Sequence, residues 1–223
     1  MPDSDALLLR QGRLVTAGVV GDPVDIAIAD GLIQAIAPDL DITAETEIDL
    51  AGKLVSPPFV ESHIHLDSAL TAGQPRWNQS GTLFEGIDIW RERKQSLTIE
   101  DVKTRALEAL KLQASQGTLF VRSHADVSEA NLTALKGLLA VREAVKDWIT
   151  LQVVAFPQDG IYSAPGNAER LEEALKLGAD AVGGIPHYEL TREDGVNSVH
   201  HIFDLAEQRS EEHTSELQSP MYL

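Results

Sequence analysis

The sequence contains no cysteine. Disulfides and thiolate zinc sites are therefore excluded, and any metal ion has to be held by histidine and carboxylate side chains. Zinc nucleobase deaminases that ligate the metal through a Pro-Cys-x-x-Cys motif are excluded for the same reason.

Positive charge is scarce as well. Lysine and arginine number 18 against 35 aspartates and glutamates, the net charge is −17, and no segment concentrates the basic residues. Such a chain is poorly suited to nucleic-acid backbones or anionic membranes. We therefore expect no nucleic-acid partner and no membrane partner, whereas a neutral small molecule or a metal cation is compatible with the charge.

Long apolar runs are also missing. No run approaches the roughly 20 residues that span a bilayer. The first 14 residues begin with acids and contain an apolar stretch of only four residues. This start has neither the charge nor the apolar core of a signal or transit peptide, so the expected location is the cytoplasm.

The chain contains two regions with different patterns. Residues 1–58 are typical of short β-strands, with Asp30-Gly31 as a hairpin turn, and predict a small antiparallel sheet. Over residues 59–208, apolar strand segments alternate four times with helical segments, for which Thr98 and Ser128 are the predicted N-caps. Continuously apolar strands between helices indicate parallel strands covered by helices.

Two architectures have this alternation, an open doubly wound sheet and a (β/α)₈ barrel. No glycine-rich phosphate loop follows the first strand, which disfavours the dinucleotide-binding form of the open sheet. Polar residues follow each strand, as at the active-site rim of a barrel. The predicted fold class is α/β, namely the first half of a (β/α)₈ TIM-type barrel with four β/α units (59–208), preceded by a small partial β-sandwich (1–58).

The segment FVESHIHLD contains the main candidate for a metal site. His63 and His65 are two residues apart on a predicted strand, so their side chains share one face and can reach one ion together. They lie at the end of the first parallel strand, directly after a Pro-Pro turn. We therefore interpret them as metal ligands, although two rim histidines bonded to backbone would give the same pattern.

Other polar residues follow the later strands. His124 and Asp126 repeat the two-residue spacing and are interpreted as hydrogen-bonding partners behind the ligands rather than ligands themselves. Asp67 is a candidate for orienting the histidine pair. His187 and Glu189 could also face the pocket.

Three further patterns carry less weight. His200 and His201 are explained by a solvated helix face. Residues 81–88, GTLFEGID, have the outline of a phosphate loop but lack the Lys-Ser or Lys-Thr that would follow it. No Gly-x-Ser-x-Gly is present, so a nucleophilic serine has no support.

Several longer strings carry a family resemblance. LAGKLVSPPFVESHIHLD resembles the opening of the amidohydrolase superfamily, a small sheet and a Pro turn before His-x-His. The strings TAGQPRWNQSGTLFEGI, LQVVAFPQDGI and LGADAVGGIPHYELTREDGV are similar to the cytosine deaminases of that superfamily. The resemblance extends from about residue 5 to Gln208.

The resemblance implies roles for individual residues. His63 and His65 correspond to the first two ligands of one divalent ion, Fe²⁺ or Zn²⁺; Gln158 corresponds to the glutamine that bonds the amide edge of the pyrimidine, and Leu83 to a pocket residue beside the base. The implied reaction is hydrolysis of cytosine to uracil and ammonia by a metal-activated hydroxide. The remaining ligands and the proton shuttle of the family correspond to positions beyond Gln208.

Three alternatives remain open at this point. The resemblance implies that this chain is the inactive N-terminal half of a deaminase, whose parent is expected to be a homo-oligomer. Relatives also act on other aminopyrimidines and triazines, which Gln158 alone does not distinguish. In a third alternative, the chain is a non-catalytic half-barrel that acts as an assembly module.

The last segment differs from the rest of the chain. Residues 209–219, RSEEHTSELQS, correspond to the translation of a common short-read sequencing adapter. We interpret residues 209–223 as an artefactual tail, so that His213 is not a further ligand.

Overall fold

The computed structural model describes residues 6–209 and 212–215, and the chain divides into two compact units between Pro57 and Pro58. In the described residues of the first unit, all strands belong to one five-stranded sheet. These strands are β1 (Leu7–Thr16), β2 (Val19–Ala29), β3 (Leu32–Ala37), β4 (Thr46–Asp49) and β5 (Leu54–Val55).

The first sheet is mixed rather than antiparallel throughout. β1, β2 and β3 pair antiparallel, and Asp30 and Gly31 join β2 to β3 with φ values of 52° and 71°. This confirms the predicted hairpin, because a two-residue turn of this kind needs positive φ at both positions. β4 and β5, however, pair parallel with β1. The expectation of an antiparallel sheet was wrong for them because the chain crosses from β3 to the far side of β1 and enters β4 in the same direction as β1.

The second unit is built on a parallel sheet. Its strands are β6 (Phe59–Ile64), β7 (Thr118–Asp126), β8 (Thr150–Phe156), β9 (Ala181–Gly184) and β10 (Glu212–Ser215), in the order β10-β9-β8-β7-β6. Its helices are α1 (Leu83–Lys94), α2 (Ile99–Ser115), α3 (Thr133–Val145), α4 (Asn167–Lys176) and α5 (Arg192–Arg209).

The four strands β6 to β9 form the parallel, curled sheet of a half-barrel, which confirms the predicted fold class. α2 to α5 pack against this sheet through an apolar core that includes Val102, Leu138, Val153 and Leu171, all fully buried. In the part of the chain that the structure describes, no helix is long and apolar enough to cross a bilayer.

β10 adds a strand that was not predicted, since residues 209–223 were set aside. It pairs parallel with β9, from Glu212 opposite Ala181 to Ser215 opposite Gly184. The edge of β9 offers backbone N–H and C=O groups to any extended segment, which gives a physical reason for this pairing whatever the origin of the segment.

The start of α2 agrees with the prediction and the start of α3 does not. Thr98 is the N-cap of α2 and its Oγ1 accepts from the Asp101 amide at 3.1 Å. Ser128 was predicted to cap α3, but its Oγ accepts from the Asp159 amide instead, at 2.9 Å. Glu129, whose side chain is longer, accepts from the Asn131 and Thr133 amides, and α3 begins only at Thr133.

Two further differences lie near the carboxyl ends of the strands. The fourth predicted strand ends at Gly184, and Pro186–Tyr188 form a 3₁₀ turn. Proline cannot donate to a strand ladder, which explains this early end. Residues 83–94 form a helix, α1, that was not predicted, and Thr82 caps it by accepting from the Glu85 amide at 3.3 Å.

Candidate active site

A pocket of about 570 Å³ opens beside the carboxyl ends of β6 and β8, with α1 forming one wall. Polar groups come from the strand ends, and apolar groups come mostly from α1. The residues that line the pocket are His63, His65, Ser68, Leu83, Gly86, Ile87, Trp90, Gln158 and Ile185.

Three histidine rings from two neighbouring strands meet at this pocket. The rings of His63 and His65 have centroids 5.4 Å apart. His124, from β7, stacks on His63 at 4.0 Å and lies 5.5 Å from His65. Phe156 packs edge-on against both His65 and His124, each at 5.4 Å. The two predicted ligands line the pocket, whereas His124 is buried beside them.

The burial of His124 determines its charge. Burial, together with charge repulsion from the nearby His63 and His65, lowers the pKa of His124 to about 3. At neutral pH the ring is therefore neutral, and its buried Nδ1 has no hydrogen-bond partner in the structure. His124 contacts His63 by stacking, and its role as a hydrogen-bonding partner behind the ligand pair stays a prediction.

The histidine pair fits part of a metal site. Imidazole nitrogens are suitable donors for zinc and iron, and both metals need about three protein ligands. Within residues 6–209 and 212–215, no group of three histidine or carboxylate side chains is arranged to hold an ion. His63 and His65 thus provide the donor chemistry, but not the full number of ligands.

The backbone of β6 at His63 is also held by a side chain. The His63 amide donates to Glu61 Oε1 at 3.0 Å. β6 is the end strand of its sheet in the described part of the chain, so the Glu61 carboxylate occupies a backbone donor near the free edge. Glu61 therefore supplies the hydrogen-bond acceptor for the backbone amide of one of the two candidate ligands.

Asp67 joins the ends of two strands. Its Oδ2 accepts from the Asp126 amide at 2.8 Å, and its Oδ1 accepts from the Ser68 amide at 2.9 Å. Burial raises the pKa of Asp67 to about 7, against the effect of these hydrogen bonds. Asp67 does not line the pocket, and its contacts fix the segment that follows His65.

Asp126 connects the strands to α1. Its Oδ2 accepts from Trp90 Nε1 at 2.8 Å and from Lys94 Nζ at 3.0 Å, and its Oδ1 accepts from the Ser128 amide at 2.8 Å. Trp90 lines the pocket, so Asp126 acts on the pocket through the indole ring.

Comparison with known proteins identifies the family. The model of the amidohydrolase family matches residues 46–212, which is most of the chain. This chain belongs to the amidohydrolase family. The resemblance noted in the sequence is thereby confirmed.

Two solved structures of enzymes are similar to this chain. It is 43% identical to the solved structure of 5-methylcytosine deaminase from Klebsiella pneumoniae liganded with 5-fluorocytosine, with a TM-score of 0.87 over 96% of this chain and 52% of that one. It is 30% identical to N-isopropylammelide isopropylaminohydrolase from Burkholderia multivorans, with a TM-score of 0.79 over 95% of this chain and 52% of that one.

A curated relative points the same way. N-isopropylammelide isopropyl amidohydrolase of Pseudomonas sp. strain ADP is 34% identical over 82% of this chain and 47% of its own length. The chain therefore spans about half the length of these relatives.

The other predicted site residues divide into two groups. Gln158, directly after β8, and Leu83, the first residue of α1, both line the pocket with the histidines. His187 is exposed and Glu189 accepts from the Ile161 and Ser163 amides at 2.6 and 2.9 Å, outside this pocket.

The two histidines of α5 have different surroundings. His200 is exposed, as a solvated helix face predicts. His201 is partly buried and its ring lies 6.0 Å from that of Tyr162, so solvation explains His200 better than His201.

Sequence reasoning missed the pocket residues of α1. Gly86, Ile87 and Trp90 follow Leu83 at helical spacing and line the same wall. A Thr-x-x-Glu pattern, Thr82 to Glu85, precedes them and is a recognised start signal for a helix. That pattern lies in the segment 81–88, which was compared with a phosphate loop and with the family but not with a helix start.

Proposed function

We propose that this chain carries the N-terminal part of a metal-dependent cytosine deaminase of the amidohydrolase family, a hydrolase of C–N bonds in cyclic amidines. One observation carries the proposal: His63, His65, Gln158 and Leu83 line a single pocket. A further support is the likeness to a structure liganded with 5-fluorocytosine.

Recognition of the base is assigned to Gln158 and the apolar wall. An amide side chain offers both a donor and an acceptor, which complements the lactam edge of a pyrimidine. Leu83, Ile87, Ile185 and the Trp90 ring line the remaining surface, and flat apolar groups of this kind pack well on an aromatic ring.

His63 and His65 would hold the metal ion through neutral imidazole nitrogens. When bound, a divalent zinc or iron ion supplies Lewis acidity, which lowers the pKa of water to about 7 and makes it a nucleophile at neutral pH. His124 and Phe156 hold the two rings by stacking and edge-on packing. These contacts limit the orientations that the imidazole nitrogens can adopt.

The chain alone is proposed to be inactive. Catalysis of this kind needs about three protein ligands and a proton shuttle. The described residues supply two histidines at the pocket and no group of three potential ligands. A cytoplasmic location and a homo-oligomeric parent also remain predictions.

In a second candidate function, the hydrolytic reaction is the same and the substrate ring is different. Two relatives carry names that specify N-isopropylammelide, at 34% and 30% identity. The donor and acceptor of Gln158 suit the edge of such a ring as well as that of cytosine. This candidate is an amidohydrolase acting on another aminopyrimidine or a triazine.

A chimera tests both candidates. Residues 1–208 would replace the matching half of Klebsiella 5-methylcytosine deaminase, and ammonia release would be measured on cytosine and 5-methylcytosine, with isopropylamine release on N-isopropylammelide. We expect turnover of cytosine, loss of turnover in H63A and in H65A, and a raised KM in Q158L. Q34L, an exposed glutamine of the first unit, is the matched control.

The outcomes separate the candidates. Turnover of N-isopropylammelide without turnover of cytosine would favour the second candidate. A folded chimera that releases amine from none of the three substrates would contradict both. Ammonia release from cytosine by the 223-residue chain itself would contradict the proposed inactivity.

A further inference from the structure

Lys94 is a buried cation held between two carboxylates. Only 8% of its side chain is exposed, and Nζ lies 3.0 Å from Asp126 Oδ2 and 2.5 Å from Asp159 Oδ2. It is the last residue of α1 and is not among the residues that line the pocket. Lysine is almost never buried unless it is paired, and here two carboxylates provide the pairing.

The two carboxylates belong to different strand ends. Asp126 is the last residue of β7, and Asp159 follows Gln158 after β8. One ammonium group therefore ties α1 to two neighbouring strand ends. In the sequence, Lys94 is separated from Asp126 by 32 positions and from Asp159 by 65.

Each carboxylate is connected to a pocket residue. Asp126 Oδ2 accepts from both Lys94 and the indole of Trp90, one turn earlier on α1. Asp159 is the immediate neighbour of Gln158, and its amide donates to Ser128 Oγ at 2.9 Å. The position of the Trp90 ring and the direction of the Gln158 segment thus depend on the same cation.

The charge of Lys94 is maintained in this environment. Burial by itself lowers the pKa of the ammonium, but the carboxylates of Asp126 and Asp159 outweigh that effect and raise the pKa above its ordinary value. Removing the cation would leave Asp126, which is 2% exposed, without its buried counter-charge. Loss of one partner from a buried pair perturbs both the fold and the groups bonded to it.

We propose that Lys94 is a positioning residue for substrate binding, which holds the Trp90 ring and the Gln158 segment at the pocket through Asp126 and Asp159. This inference rests on the proposed function for the identity of the ligand. The role of Lys94 in positioning Trp90 does not depend on the proposed function, because the position of Trp90 can be measured without any ligand.

The experiment uses the 223-residue chain with Trp77 and Trp148 replaced by phenylalanine, so that Trp90 is the single tryptophan. Two readouts are taken, acrylamide quenching of Trp90 and binding of 5-fluorocytosine by fluorine NMR. The variants are K94M and D159N; the latter keeps the side-chain size and leaves Lys94 paired with Asp126. The matched control is R142M, which removes a cation from Asp180, 2.7 Å away, and touches no pocket residue.

We expect K94M to increase the quenching of Trp90 and to weaken 5-fluorocytosine binding about tenfold or more, since buried charge-assisted hydrogen bonds are lost. D159N is expected to weaken binding about threefold, and R142M to leave both readouts unchanged. If K94M does not fold, D159N decides the matter, because it retains a paired lysine.

Quenching and binding at parental values in K94M, or in D159N if K94M is unfolded, would overturn the proposal. Equal changes in R142M would also overturn it, because they would indicate general destabilisation. If the parental chain does not bind 5-fluorocytosine, the proposed function loses support. In that case the quenching of Trp90 alone decides whether Lys94 positions the ring.

Discussion

His63 and His124 stack with ring centroids 4.0 Å apart and an angle of 22° between the ring planes. One ring lines the pocket and the other is buried behind it. The stack explains how a histidine on an end strand is held in one orientation. The predicted roles, binding an ion for His63 and supporting a ligand for His124, thus fall on two rings in contact.

Metal binding tests this separation. We expect H63A to reduce the affinity of the chain for zinc at least about tenfold, because one of two imidazole donors is lost. H124F retains an aromatic ring against His63 and Phe156 and should change the affinity only about threefold or less, since the packing on His63 is kept and no proposed ligand is lost. The measurement is isothermal titration calorimetry with zinc chloride at neutral pH.

Exposed His187 provides the control for this series, and H187A should bind zinc as the parental chain does. A loss in H124F equal to that in H63A would show that zinc binding needs a nitrogen of His124 and not only its ring. That result would contradict the role given to it above.

Gly86 should show opposite effects on stability and binding. A methyl group at this position of α1 would meet Asn78 Nδ2 at 3.7 Å, an ordinary contact. We expect G86A to raise the free energy of unfolding by about 0.5–1 kcal/mol, because alanine favours a helix interior. Because Gly86 lines the pocket, the same methyl should weaken 5-fluorocytosine binding, measured by fluorine NMR. Unchanged binding would place the ligand away from α1.

At Gly137, which also lies inside a helix, substitution by alanine should lower the stability rather than raise it. A methyl group there would lie 2.7 Å from Val102 Cβ, where α3 packs on α2. We expect G137A to lower the free energy of unfolding by about 1–3 kcal/mol, the usual cost of overpacking. Urea unfolding followed by circular dichroism measures the change. The G137A/V102A double variant should lose less than the sum of the single variants, and additivity would contradict the contact.

Glu85 predicts a pH dependence. The Ser80 hydroxyl, the Ser80 and Gln79 amides and Arg76 donate to its carboxylate and lower its pKa from 4.5 to about 2. A lowered pKa in the folded state gives stability that is complete above the unfolded value of 4.5 and is lost as the pH falls towards 2. The parental chain should therefore lose more stability than E85Q over this interval.

The comparison is made by urea unfolding at steps of pH, with the difference between the parental chain and E85Q as the quantity of interest. E100Q is a suitable control, because Glu100 is exposed and also lies in the first turn of a helix. Parallel pH curves for the parental chain and E85Q would contradict the hydrogen bonds described for Glu85.

The sequence predicted much of the second unit because its signals are local. Continuous apolar runs identify the parallel strands, and Thr98 and Gly117 mark the ends of a helix by their side-chain and backbone preferences. α1 was not predicted because its apolar residues show only a weak helical periodicity and because Gly86 lies inside it. The N-cap prediction for Ser128 was wrong because Glu129, one residue later, accepts from the amides before and at the start of α3.

The site was predictable only in part. His63 and His65 follow from two-residue spacing, and Gln158 and Leu83 from family resemblance. Lys94 has no such signal, because its partners lie 32 and 65 residues away and only the folded chain brings them together. The parallel pairing of β4 with β1 is likewise a property of the crossover rather than of either strand.

The contact between Glu61 and the His63 amide links the edge of β6 to the pocket. A strand that approached the free edge of β6 to pair at His63 would have to displace the Glu61 carboxylate to take the amide as its own donor. The backbone that carries the histidine would then exchange a side-chain partner for a ladder partner. Pairing of a further strand at the His63 amide and the contact of that amide with Glu61 therefore exclude each other.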